Sequence, residues 1–459
     1  MVKVSLYITC YNYEKYVKKA IESALNQNFD DYEVLIFDDG SSDNSRDIIN
    51  EYKDNPKVRI FFQENQGLIK TSNKALKEAK GKYVMRLDAD DFLDENALLV
   101  MVTILERENN TYLVYPDYYE VDEEDNITGF VRRKKINREV KFLDLPAHGA
   151  CTLIDKEVLL KLGGYDESVK RQDGYNLWIK FIQKFNPRNV NVPLFYYRKH
   201  IESSTANSKK ILEARRKIKE NHVMENNVNL HDETLVIVPF RGKNVIENMY
   251  HQDIKGSILL DFIERNLESV RSDLVITSED DLILDFFAKK GFNIVKRPEE
   301  LARQNVSIDK TLKYVLSKLD KTYKNIGIYY PTSPLVSSKH INEAIDTLGI
   351  FDADAVVSVK EVSKVFFIHG MNGLMPLFNK HKDLKIEREN IYEETGSIIV
   401  YKIEFLLEDK VPLKVGHIVL DDIEGMDIDD EFSFWLIKQV LSNGDELDNL
   451  KNRKITRGY

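Results

Sequence analysis

The stretch Lys82–Leu87 (KYVMRL) runs directly into Asp88-Ala89-Asp90-Asp91. Its apolar, β-branched and aromatic residues predict a short strand, and the acidic cluster then falls at that strand's carboxyl end. Several carboxylates gathered there cannot all stay ionised cheaply unless a cation offsets them. Oxygen-only ligands of this kind suit Mg²⁺ or Mn²⁺, which can share their remaining positions with phosphate oxygens. The pattern points to a site for a metal ion and a diphosphate.

Working outward, residues 2–200 alternate strand and helix patterns. Lys3–Thr9, Glu33–Phe37 and Val58–Gln63 read as strands, and Tyr16–Leu25 and Thr71–Ala79 as amphipathic helices. Asp43 can cap the helix that carries Ile48, Ile49 and Tyr52. Repeated strand–helix units predict an α/β fold with a mainly parallel sheet covered on both faces. Ligands of such sheets bind beyond the carboxyl ends of the strands, where Asp39 and Asp88 both fall. Residues 206–231 read as a helical connector between residues 1–205 and a second α/β pattern over residues 232–459. The strands expected in that second part are Thr234–Pro239, Asp273–Thr277, Asn293–Lys296, Asn325–Tyr330, Ala355–Val359, Ser397–Tyr401 and Val415–Leu420. Phe432–Leu441 is expected as a last helix.

A chain of 459 residues with 42% hydrophobic and 31% charged residues can bury more than one core. Its net charge of −10 argues against a nucleic-acid partner. Arg132–Lys135 (RRKK) reads as a solvated loop, or else as a contact for an anionic surface. Two cysteines, Cys10 and Cys151, give no disulfide framework and suit a reducing compartment. The longest apolar run, Ala97–Leu105, is too short to cross a bilayer, and no signal-like segment precedes the first strand. The expected location is cytoplasmic, with a peripheral place at the inner face of the membrane if the acceptor is lipid-linked.

The first half resembles glycosyltransferase family 2, the inverting GT-A enzymes. The resemblance rests on Thr9-Cys10-Tyr11-Asn12, Asp38-Asp39-Gly40-Ser41-Ser42-Asp43, Asn65-Gln66-Gly67 and Asp88-Ala89-Asp90-Asp91. It continues through His148-Gly149, Gly163-Gly164-Tyr165-Asp166-Glu167, Gln172-Asp173 and Tyr197-Arg198-Lys199-His200. It implies that Thr9, Tyr11, Asp39, Asp88 and Asp90 hold the donor nucleotide. Asp90, Asp91 and His200 would hold the metal. Asp173 would be the base that removes the acceptor hydroxyl's proton, and His148 and Trp178 would line the acceptor pocket. A carboxylate can accept from a base's N–H, and a tyrosine ring can lie on its face. Each residue also has a plainer role open to it. Asp39 suits a turn, Asp88–Asp91 suit a helix start, and Asp173 suits a helix cap. A lone loop histidine is commonly just solvated.

Residues 233–459 resemble the cytidylyltransferases that make CMP-sialic acid and related CMP-sugars, a nucleotidyltransferase fold. The matching pieces are Val238-Pro239-Phe240-Arg241-Gly242, Thr277-Ser278-Glu279-Asp280, Arg297-Pro298-Glu299-Glu300-Leu301-Ala302, Pro331-Thr332-Ser333-Pro334-Leu335, Glu394-Thr395-Gly396-Ser397 and Asp427-Ile428-Asp429. By resemblance Arg241, Lys243 and Ser333 would meet nucleotide, and Asp427 and Asp429 would hold Mg²⁺. The two aspartates also read as an exposed acidic turn. The chain departs from the family where phosphate is handled. The stretch after Gly242 lacks further glycines and introduces Glu247, and Tyr330, Val336 and Gln304 stand where the family has glutamine, arginine and an acid. A loop of this kind gives up the backbone N–H cradle that phosphates need.

The resulting expectation is a metal-dependent inverting glycosyltransferase in surface glycan assembly. It would use a nucleotide-diphosphate sugar, UDP-linked by preference, and a glycan or lipid-linked acceptor. The second half either also activates a nonulosonic acid with CTP, or is a binding or homodimerisation module.

Overall fold

The computed structural model describes residues 2–133, 149–169, 172–199, 208–226, 228–244, 246–362, 366–370, 373–376 and 391–443. The chain divides into two compact units, residues 1–218 with 364–389, and residues 219–363 with 390–459.

In the first unit, β1 (Val4–Cys10), α1 (Val17–Leu25), β2 (Tyr32–Asp38), α2 (Ser45–Asn50), β3 (Val58–Phe62), α3 (Leu68–Glu78) and β4 (Tyr83–Asp88) alternate as the sequence pattern predicts. β1 and β2 are buried at every position, and their side chains join a core with Val17, Ala20, Ile21 and Ala24 of α1. Short β5 (Phe92–Leu93), α4 (Ala97–Arg107), β6 (Thr111–Val121), β7 (Ile127–Val131), β8 (Leu153–Asp155), α5 (Lys156–Lys161), α6 (Asp173–Ile182) and β9 (Asn186–Arg198) follow, and α7 (Ser208–Asn226) begins in this unit and ends in the second.

The sheet order is β3-β2-β1-β4-β8-β6-β9-β5, with β7 paired to β6. The β3-β2-β1-β4 part is parallel. β8 then runs antiparallel to both β4 and β6. The sheet is therefore mixed, which corrects the expectation of a mainly parallel one. β6 and β9 alternate aromatic and polar residues irregularly and pair through several bulges, so period-two alternation does not reveal them.

The second unit carries β10 (Thr234–Pro239), β11 (Asp253–Ile254), β12 (Ser257–Ile258), α8 (Leu259–Leu267), β13 (Asp273–Ser278), α9 (Asp281–Lys289), β14 (Asn293–Lys296), α10 (Ile308–Leu316), β15 (Asn325–Tyr329), α11 (Ser338–Ile350) and β16 (Ala355–Val362). A hairpin of β17 (Phe367–Gly370) and β18 (Gly373–Pro376) falls in the segment grouped with the first unit. β19 (Ile391–Lys402), α12 (Ile403–Leu407), β20 (Val415–Val419) and α13 (Glu431–Ser442) complete the chain's regular elements among the described residues. The second sheet has the order β14-β13-β10-β15-β19-β16-β20. Its β14-β13-β10-β15 part is parallel, and β19 is antiparallel to both neighbours.

Both parallel segments share one property. The first strand of each unit has its successor on one side and the unit's fourth parallel strand on the other. Connections therefore leave that strand pair in opposite directions, opening a crevice at its carboxyl end. In the first unit the crevice lies between β1 and β4. In the second it lies between β10 and β15.

Candidate active site

Thr9 and Asp88 sit opposite one another at the carboxyl ends of β1 and β4. Thr9 is buried, and Tyr11 just beyond it is 48% exposed. β4 owes its special character to Arg86, a buried arginine in an apolar strand. Arg86 Nε lies 3.0 Å from Asp88 Oδ1, and Nη1 donates to Asp173 Oδ2 at 2.5 Å. One guanidinium thus ties the acidic cluster to the first residue of α6. Gly149 makes room for it, since a Cβ there would come within 2.5 Å of Arg86 Nη2. Asp173 does not cap its helix. Gln172 takes the N-cap place in a left-handed conformation with φ of 60°, leaving the Asp173 carboxylate to Arg86.

The carboxylates beyond β4 crowd one another. Burial, against the opposing pull of Arg86, raises the Asp88 carboxyl to about 6, with Asp90 and Asp173 adding to the rise. Asp91 is pushed well above the usual carboxylate range by burial, then by Asp90 and Asp88. Its Oδ1 accepts the Arg198 backbone N–H at 2.9 Å, while its buried Oδ2 has no hydrogen-bond partner among the described residues. Burial and the same aspartates also push the Tyr13 hydroxyl up, through a hydrogen bond to Asp90. Crowded, buried and incompletely partnered carboxylates are what a divalent cation would relieve, so the residues fit one. Among the described residues no group of three or more His, Cys, Asp or Glu side chains could hold a metal by itself. One or two carboxylates with ligand phosphates is the set that Mg²⁺ commonly takes.

Asp39 does more than turn the chain. Its Oδ1 accepts from Gln63 Nε2 at 2.7 Å and the Gln66 N–H at 2.9 Å, and its Oδ2 accepts the Gly67 N–H at 2.8 Å. Three of about four acceptor positions of the carboxylate are thereby used, which leaves one for a ligand donor. The loop over residues 63–67 is held over the carboxyl end of β2 as a result. Asn44, not Asp43, takes the N-cap place of α2 and makes no side-chain cap bond, which corrects the expectation; Asp43, one residue earlier, accepts the Ser45 and Glu14 N–H groups.

Arg198 is the second organiser that sequence reasoning missed. It is 1% exposed at the end of β9. Its Nε donates to the Asp90 carbonyl at 2.8 Å, its Nη1 to the carbonyls of Asp122 and Glu123, and its Nη2 to Asp125. Its guanidinium also lies 4.5 Å from the Tyr16 ring centre. The one available signal was a lone arginine ending an aromatic strand (LFYYR). Trp178 is 2% exposed and packs edge-on against Tyr115, so it stands in the core behind α6 and not on a surface that an acceptor reaches. His148 and His200 lie outside the described residues.

The second unit brings some of its candidates together and separates others. Ser333 Oγ donates to Asp427 Oδ1 at 2.9 Å, and burial raises the Asp427 carboxyl. The Asp429 N–H meets Ser433 Oγ, within the turn where Asp430 caps α13. Lys243 is exposed and paired with Glu299 at 3.0 Å. Arg241 lines a cavity at the ends of β10 and β15.

The sequence pattern described as "Glycosyl transferase family 2" matches residues 5–163. The UDP-Glc:alpha-D-GlcNAc-diphosphoundecaprenol beta-1,3-glucosyltransferase WfaP of Escherichia coli is 32% identical over 219 residues, 46% of this chain and 83% of that protein. The chain belongs to glycosyl transferase family 2. The family likeness lies in the first unit. The chondroitin synthase of Escherichia coli is 30% identical over 189 residues, 41% of this chain. The chain spans only 28% of that synthase, and 58% of an uncharacterized glycosyltransferase of Rickettsia typhi that it also matches. Among solved structures, S. aureus TarS residues 1–349 in complex with UDP-GlcNAc aligns with a TM-score of 0.42 at 18% identity, over 48% of this chain and 67% of that one. Among the described residues no helix is long and apolar enough to cross a membrane.

Proposed function

We propose that the first unit transfers a sugar with inversion from a nucleotide-diphosphate donor, UDP-linked, to a hydroxyl of a glycan or lipid-linked acceptor. One relative, named for a UDP-Glc donor and a diphosphoundecaprenol-linked acceptor, supports the donor and acceptor classes. The observation that carries the reading is the Arg86 bridge, which sets Asp173 beside the acidic cluster at the β1–β4 crevice. Inversion needs a base on the face of the sugar opposite the departing diphosphate. Asp173 takes that role. Arg86 holds its carboxylate in one orientation and screens it from the negative cluster. Thr9, Tyr11, Asp39 and Asp88 surround the nucleoside. Mn²⁺ or Mg²⁺ would be held by Asp90, Asp91 and His200, and would offset charge on the diphosphate oxygens.

Asp173→Asn tests the assignment. Transfer, followed as nucleotide release with acceptor present, should fall by about 10²–10⁴-fold. Calorimetric affinity for UDP with Mn²⁺ should stay within about threefold of the parent, the ordinary scatter of such contacts. Undiminished transfer rejects Asp173 as the base.

For residues 232–459, which supply most of the second unit, we infer a nucleotidyltransferase-like module without CTP chemistry. The Gly242 N–H, which a phosphate would need, already donates to Glu279 Oε1 at 2.7 Å. A Cβ on Gly242 would come within 2.6 Å of Asp280 Oδ2, so a second carboxylate crowds the same turn. Release of pyrophosphate from CTP in the presence of Mg²⁺ and nonulosonic acids would reverse this reading.

A further inference from the structure

The second unit's crevice holds a half-open cavity of about 340 Å³, with mixed polar and apolar walls, at the carboxyl ends of β10 and β15. That is the strand pair at which the connections diverge, the place where open α/β sheets bind ligands. A larger groove of about 690 Å³ lies at the other end of the same strands, beside Asn325 and Lys402. It has no such topological reason to bind.

Two arginines, Arg241 and Arg297, line the cavity; among the described lining residues none is acidic, and the nearest carboxylate to Arg297 is Glu279 at 3.0 Å. Arg297 is 3% exposed, and its Nη2 donates to the Phe240 carbonyl at 2.6 Å and to Glu279 Oε2 at 3.0 Å. Its Nε is buried and has no hydrogen-bond partner among the described residues. An orphaned guanidinium N–H in a buried arginine costs free energy unless an acceptor reaches it. Among the described residues the Arg241 guanidinium is committed by one long 3.4 Å bond to the Arg303 carbonyl. Tyr330 and Ile308 supply ring-sized apolar wall. Asn244 and Thr311 already donate to the Arg241 and Leu301 carbonyls, and Thr332 bonds to Asp427, so their remaining acceptor positions are what a ligand hydroxyl can use. The volume is at the small end of ligand pockets, which suits one ring and not a nucleoside triphosphate.

The charge balance narrows the ligand. Glu279 already answers part of the Arg297 charge, and Glu279 and Asp280 flank the Gly242 turn. A polyphosphate would meet these carboxylates, whereas one carboxylate can take the Arg297 Nε and the Arg241 fork. We propose that this cavity is a binding site for a ring-sized polar monocarboxylate, of the hexuronic acid class. The inference stands apart from the transferase reading of the first unit.

Calorimetry of the full chain against D-glucuronate, D-glucose, glucose 6-phosphate and CTP with Mg²⁺ tests it. Glucuronate should bind with 1:1 stoichiometry and at least tenfold more tightly than glucose. Arg241→Ala should weaken glucuronate at least tenfold, and Asp88→Asn in the first unit should leave it unchanged. Arg297→Lys keeps the buried charge but lacks the Nε–H, and should weaken glucuronate in the same direction while the far-ultraviolet spectrum is retained. Failure of glucuronate to bind, or binding indifferent to both arginine variants, overturns the proposal. Tighter binding of CTP or glucose 6-phosphate that is lost in Arg241→Ala overturns the choice of a monocarboxylate. None of these outcomes bears on Asp173, whose test is sugar transfer.

Discussion

Asp39 shows how one carboxylate can serve two masters. Its three internal acceptor bonds fix the loop over residues 63–67, so any nucleobase contact uses what is left. Removing it with Asp39→Ala leaves the Gln66 and Gly67 N–H groups without their partner. The cost should be about 2–4 kcal/mol of stability, since bonds to a charged acceptor contribute about 1.5–3 kcal/mol each and do not add fully. Urea melts measure it, and donor KM should rise in parallel. Asp88 makes a separate statement about pH. Its carboxyl is raised from 3.8 to about 6, first by burial, so the folded state binds a proton that the unfolded state has already lost. Stability of the cation-free protein should therefore fall as pH rises from about 4 to about 6, with this contribution fully lost above that. Asp91 shifts in the same direction, so Asp88→Asn should flatten only the lower part of the slope. A cation-free protein whose urea midpoint rises over that window would contradict the burial of this group.

At the scale of elements, strand ends were the readable part of the sequence. Apolar runs such as VSLYITC and YVMRLD, each followed by polar turn residues, placed β1 and β4 and the crevice between them within a residue or so. The Asp-Asp-Gly turn was legible for the same local reason. Gly40 has φ of 83°, and a Cβ there would lie 2.7 Å from the Asn65 nitrogen. Gly40→Ala should cost about 2 kcal/mol or more, as both the backbone and the contact resist it, and thermal melts would show it. What stayed hidden was non-local. Nothing in KYVMRL says that its arginine will meet Asp173, because that contact spans 87 positions and depends on α6 reaching the sheet edge. Trp178 was misplaced for a related reason: helical spacing locates a face but not what covers it. Arg198 belongs here too, because it joins β9, the acidic turn after β4 and the turn over residues 122–125. Arg198→Lys keeps the charge but loses the planar fork. Donor KM should rise about tenfold, with the larger part of the loss in binding rather than in kcat, as follows when a loop is held less well.

At the scale of the molecule, two units repeat one topological device with opposite chemistry. The β1–β4 crevice gathers carboxylates, and the β10–β15 crevice presents guanidinium groups. Each unit has its own buried core, one built on Val4, Leu6 and Ile36 and the other on Val236, Val238 and Ile276. Ligand stabilisation should then be local to the unit that binds. In calorimetric scans of the full chain, UDP with Mn²⁺ at about 100 times its Kd should stabilise the first unit by about 2.7 kcal/mol, through mass action on its folded state. Asp88→Asn should abolish that shift and leave the second unit's transition where it was. Glucuronate should do the converse, moving the second transition and not the first, with Arg241→Ala removing the effect. A chelator should cancel the UDP shift while leaving the glucuronate shift intact, because the divalent ion proposed here belongs to the first unit's crevice. If one ligand moved both transitions equally, the two crevices could not be independent sites.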